Sequence, residues 1–109
     1  MAEHADPSEG QMVTVFRSRL AETGRDEYGE TAARMLDEAR RMPGFVDFKT
    51  FAADDGERVS IITFADEPSH AAWRDHADHR AAQQAGRDRF YASYDIQVCR
   101  CLHVRRFRA

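Results

Sequence analysis

Trp73, the only tryptophan of the chain, is followed three and six residues on by His76 and His79. Residues three apart on a helix lie about 60° around it from one another, so these side chains can line one side of a cleft. An imidazole there can take a proton from a phenol or an activated carbon acid, because histidine titrates near neutral pH. The competing reading makes Trp73 core and leaves His76 and His79 solvated or capping a helix bend. His76-x-x-His79 is also half of a metal site, whose third ligand would have to come from His70, Asp75 or His103; on so incomplete a set no metal is expected. Phe90, Tyr91 and Tyr94 form an aromatic cluster, in which the hydroxyls either orient an oxygenated aromatic ligand or bond a backbone carbonyl inside the core. Arg17 and Arg89 can offer charge to an oxyanion, against the commoner role of exposed ion pairing. Cys99 and Cys101, at i and i+2 of an extended run, cannot easily reach disulfide geometry and read as reduced, buried thiols.

The elements that must position these residues are organised around Pro43 to Phe64. Two apolar runs, Phe45 to Ala52 and Val59 to Phe64, flank Asp54-Asp55-Gly56-Glu57, whose glycine tolerates positive φ, and together they predict a β-hairpin. Both faces of the second arm are largely apolar, Val59 and Ile61 on one and Ile62 and Phe64 on the other, so both need cover. Helices can cover one face, and a second sheet is expected on the other. Before the hairpin, Gln11 to Leu20 alternates as a strand, and Tyr28, Ala32, Met35, Ala39 and Met42 recur at helical spacing over about Arg25 to Arg41. After it, Asp66-Glu67-Pro68-Ser69 suits a helix start. That helix is expected to break near His76 and resume from His79 to Tyr91, with Gly86 weakening its middle. Tyr94 to Phe107 alternates as a last strand of roughly 14 residues, long against the usual 5–6. The order is β-α-β-β-α-β, a ferredoxin-like α+β fold with an antiparallel four-stranded sheet and helices on one face.

Composition narrows the function classes. The 109 residues, 42% hydrophobic and 32% charged, make one domain, 11–109, behind a polar leader, 1–10. The net charge of −3 carries no basic footprint for nucleic acid. No apolar run approaches the roughly 20 residues of a membrane span, and the N-terminus lacks the layout of a secretory signal, so a cytoplasmic protein is expected.

Met42-Pro43-Gly44-Phe45, the hairpin end Ser60-Ile61-Ile62-Thr63-Phe64, the segment Ser69 to His79 and the run Arg89 to Cys99 together resemble the antibiotic biosynthesis monooxygenase family, over about Met12 to Phe107. The resemblance implies a homodimer in which two sheets pack face to face as a dimeric α+β barrel, each subunit keeping a pocket between sheet and helices. It further implies oxidation of polycyclic aromatic intermediates to quinones by dioxygen, without metal, flavin or other cofactor. The asparagine and tryptophan used by such oxidising members fall at Ser60 and Phe64 here. Of the Asn, Trp and His used by heme-degrading relatives, only the tryptophan is matched, at Trp73, with Ser18 and Gln83 near the other two positions.

The expected function is therefore a cofactor-independent monooxygenase acting on an electron-rich aromatic or quinol. Trp73, His76 and Tyr91 are its expected catalytic residues, and Phe48, Phe64, His79 and Tyr94 its substrate wall. The alternative is a non-enzymatic small-molecule-binding or stress-response protein using the same pocket.

Overall fold

The computed structural model describes residues 6–109 of the chain. Residues 1–5 of the expected leader lie outside the described residues. Four strands, β1 (Met12–Leu20), β2 (Phe45–Ala52), β3 (Arg58–Phe64) and β4 (Tyr91–Arg100), form one antiparallel sheet in the order β2-β3-β1-β4. The helices are α1 (Arg25–Arg40), α2 (Glu67–Arg74) and α3 (Ala77–Ala85), and the chain leaves α3 through one π-helical turn, Gly86–Phe90. This is the ferredoxin-like α+β fold.

Each element starts and stops for a local reason. The β2–β3 hairpin closes through Ala53 and Glu57, whose backbones bond at 2.8 Å, with Gly56 at φ +90°. Pro43-Gly44 ends the α1 segment, and Gly44 has φ +81°. A methyl group on Gly44 would also collide with Ser69 at the head of α2, so two independent constraints fix a glycine there. Asp66 caps α2: it accepts from the Ser69 backbone at 2.9 Å, and the Ser69 hydroxyl accepts from the Asp66 backbone at 3.3 Å. The expected break near His76 separates α2 from α3.

The last strand is shorter and earlier than its alternation predicts. β4 begins at Tyr91, as soon as the π turn ends, and stops at Arg100, whose partner is Met12, the first residue of β1. Beyond it Cys101 still bonds the backbones of Gly10 and Gln11 at 2.9 and 2.8 Å, and among the described residues no strand pairs with Leu102 to Ala109. Arg106 donates to the Pro7 carbonyl at 2.6 Å and Arg108 pairs with Asp6 at 2.7 Å, so the two described ends lie together.

Alternation divides the sheet between two fates. Thr14, Phe16, Phe48, Thr50, Ser60, Ile62, Phe64, Tyr94 and Ile96 share the face beneath the helices. The core is formed there by Met35 and Ala39 of α1, Phe64 of β3 and Trp73 of α2, with Met42, Phe45, Phe48, Ile62 and Ala82 packed around them. The opposite face carries Val13, Val15, Val59, Phe51 and Ile61; Phe51 and Ile61 are 48% and 37% exposed.

Candidate functional site

The helices do not fill their side of the sheet. A cavity of about 650 Å³ remains between β1, β2, β3 and β4 below and α1, α2, α3 and the π turn above. Its volume lies within the usual range for small-molecule sites. Thr14, Phe16, Thr50, Ser60, Ile62, Ile96 and Val98 supply the floor, and the Thr50 and Ser60 hydroxyls there are bonded at 2.7 Å. Ile96 and Val98 are about half exposed, so the cavity opens along β4.

One wall is built by the break between α2 and α3. Trp73, at 4% exposure, lies over Phe64 with ring centroids 6.4 Å apart. The His79 ring stacks on Trp73 at 4.3 Å and 13° between planes. His79 Nδ1 sits 3.1 Å from the Trp73 carbonyl oxygen. An acceptor there calls for the tautomer with the proton on Nδ1, which leaves Nε2 as the basic nitrogen. Burial pushes the His79 pKa below the ordinary imidazole value against the opposing pull of that carbonyl, so the ring is neutral at neutral pH. His70, also in the cavity wall, is shifted the same way by burial and by Arg74.

The facing wall is aromatic. Phe16, Tyr28, Phe90, Tyr91 and Tyr94 meet with centroid separations of 5.3 to 5.8 Å, mostly edge to face. Burial, reinforced by the neighbouring Tyr28, raises the Tyr91 pKa well above the ordinary phenol range, so this hydroxyl stays protonated. The Tyr91 ring lies directly against Gly86, where a β-carbon would come within 2.7 Å of it. The π turn thus begins at a residue whose missing side chain gives Tyr91 its place.

Five of the expected site residues meet at this cavity: Trp73, Tyr91, Phe48, His79 and Tyr94. Two stand elsewhere. Phe64 is fully buried in the core, behind Trp73. His76 is the N-cap of α3, its Nδ1 accepting from the Asp78 backbone at 3.3 Å, and it is not part of the cavity wall. The Glu38 carboxylate stands 3.8 Å from the same nitrogen. Burial and a hydrogen bond with Asp78 push the Glu38 pKa above the usual carboxylate value. Glu38, His76 and Asp78 bring potential ligand atoms within 4.8 Å of one another, a grouping that does not include His79. Arg17 and Arg89, weighed as oxyanion groups, are instead paired outside the cavity with Glu57 and Glu27, each at 2.8 Å.

Tyr28, Arg58, His70 and Arg74 also line the cavity and were not singled out from the sequence as its walls. The available signal was alternation. Arg58 and Ser60 occupy the same face of β3 as the core residues Ile62 and Phe64, and polar side chains there mark a gap in the packing.

The antibiotic biosynthesis monooxygenase family model matches residues 11–85. The uncharacterized protein YqjZ of Bacillus subtilis is 33% identical over 81 residues, which span 74% of this chain and 71% of that protein. Among solved structures, SnoaB, a cofactor-independent oxygenase from Streptomyces nogalater, superposes with a TM-score of 0.72 at 16% identity, covering 87% of this chain and 96% of its own. Rv0793 from Mycobacterium tuberculosis gives a TM-score of 0.76 at 13% identity, covering 86% and 97%. By sequence match and by fold, the chain belongs to the antibiotic biosynthesis monooxygenase family.

Proposed function

We infer that this protein is a cofactor-independent monooxygenase that oxidises an electron-rich aromatic or quinol-type small molecule in the cavity between sheet and helices. The observation that carries the reading is a neutral His79 stacked flat on Trp73 inside an aromatic-walled cavity of about 650 Å³. Family membership and the fold shared with SnoaB, an oxygenase that needs no cofactor, support the same chemistry. His79 takes the acid–base role because it lines the cavity, whereas His76 is committed to capping α3.

The substrate ring lies against Trp73, and His79 Nε2 removes a proton from an activated ring carbon or phenol. The resulting carbanion gives an electron to dioxygen, and the radical pair collapses into a carbon–oxygen bond. The proton held by His79 returns to form the hydroperoxide, which loses water. For a methylene carbon the sum is R₂CH₂ + O₂ → R₂C=O + H₂O, four electrons leaving carbon and four entering oxygen. The Tyr91 hydroxyl, kept protonated by burial and by its neighbour Tyr28, is the donor this reading assigns to an oxygen of the substrate or peroxide.

A second copy of the chain completes the molecule in this reading, covering the sheet face that carries Phe51 and Ile61.

Oxygen consumption with anthrone, whose methylene carbon becomes a ketone, tests the chemistry. One dioxygen consumed per ketone or quinone formed, undiminished by a chelator, is the expected result. Turnover without oxygen would overturn it, and a probe that binds without consuming oxygen would favour the non-enzymatic binding protein.

A further inference from the structure

We propose that the molecule bound in this cavity carries a carboxylate, received by the guanidinium of Arg58. The proposal rests on the reading of the cavity as a ligand site and adds the charge of what enters it.

The wall is one-sided in charge. The chain holds 19 acidic residues against 16 lysines and arginines, yet among the described residues no Asp or Glu lines the cavity, while Lys49, Arg58, Arg74, His70 and His79 do. Four of these five are accounted for. Arg74 is bonded to Asp75 at 3.1 and 3.2 Å. The Lys49 ammonium stands 5.4 Å from the centre of the Phe51 ring, and Phe51 belongs to the opposite sheet face. His70 and His79 are both pushed toward the neutral form by burial.

Arg58 remains. Its Nε is buried and has no hydrogen-bond partner, and among the described residues no carboxylate comes within ion-pair distance of its guanidinium. Its neighbour Glu57, the nearest acid in sequence, is turned to Arg17, which it holds through two bonds of 3.0 and 2.8 Å. The Arg58 guanidinium lies 5.8 Å from the centre of the Tyr28 ring, in the aromatic wall. The guanidinium borders the cavity with no carboxylate to hold it, and a two-oxygen anion satisfies its planar fork better than any neutral group. The aromatic walls beside it suit a flat molecule, so an aromatic carboxylate fits both features.

Trp73 borders the cavity and is the chain's single tryptophan, so its fluorescence reports occupancy directly. The intact protein is titrated with 2-naphthoate and with 2-naphthamide, a neutral analogue of nearly the same shape. Naphthoate is expected to bind about tenfold more tightly or better, the usual scale for a charge-assisted pair. Arg58→Gln is expected to remove the preference while leaving naphthamide binding within about twofold, with folding verified by thermal melting. Arg58→Lys should retain part of it, as charge survives without the fork. Equal binding of the two probes by the unaltered protein, or a preference that survives in Arg58→Gln, would overturn the carboxylate while leaving the cavity a ligand site. Failure of both probes would overturn the ligand site and the carboxylate together. Should Arg58→Gln not fold, the preference in the unaltered protein and its weakening by salt still decide.

Discussion

His79 owes its protonation state to two neighbours acting in opposite directions. Burial against Trp73 disfavours the imidazolium, the Trp73 carbonyl favours a proton on Nδ1, and burial is the stronger. The folded pKa therefore lies below the ordinary 6.5, and the base form persists to lower pH than a free histidine allows. The acid limb of a kcat/KM profile is expected below about pH 6.5. Stability follows the same sign. As pH falls through the ordinary imidazole value toward the lowered one, the unfolded chain takes up a proton that the folded chain does not, and stability is lost. His79→Gln should remove that acid-side loss and lower turnover by about 10²–10⁴-fold, as read from melting curves at several pH values and from oxygen uptake. An acid limb unchanged in His79→Gln would assign the base elsewhere.

At the scale of the element, the π turn Gly86–Phe90 fixes how β4 enters the sheet. The extra residue in that turn leaves Gly86 facing the Tyr91 ring with no room for a methyl group. Gly86→Ala should cost about 1–3 kcal/mol by overpacking and weaken aromatic ligand binding by displacing Tyr91, both measurable by thermal melting with and without 2-naphthamide. A variant with native stability and binding would show that the wall tolerates the shift.

The same element shows where sequence reading reaches its limit. The hairpin, β1 and α1 were legible because alternation, Asp-Gly and the Tyr28 to Met42 spacing are local signals. β4 was not, because Leu102 and Val104 alternate as well as Ile96 and Val98 do. The strand ends where β1 has no more residues to pair, a fact of three-dimensional register. The site was legible to the extent that Trp73, Tyr91 and Tyr94 are large amphipathic side chains in a stretch otherwise dominated by alanine and charged or polar residues. Choosing between His76 and His79 was not, since both satisfy helical spacing and only the break before Ala77 makes one a cap and the other a wall.

At the scale of the whole molecule, one sheet face lies under helices and the other is bare among the described residues. Val13, Val15, Val59, Phe51 and Ile61 give that bare face an apolar character that a second copy would cover. Light scattering should therefore give the mass of two chains, and Ile61→Lys with Phe51→Glu should give one. A monomer in the unaltered protein would contradict the proposed dimer and leave the cavity, on the other face, unaffected.

The pairing of β1 with β4 joins residues nearly the whole chain apart, Met12 opposite Arg100. Contacts so distant in sequence close late, after local hairpins and helices have formed. During synthesis α1, the β2–β3 hairpin and Trp73 all emerge before Tyr91 and Tyr94 exist. The aromatic wall is therefore the last part assembled, and a chain halted before β4 would keep Trp73 packed on Phe64 but leave His79 beside a cavity that lacks Tyr91 and Tyr94.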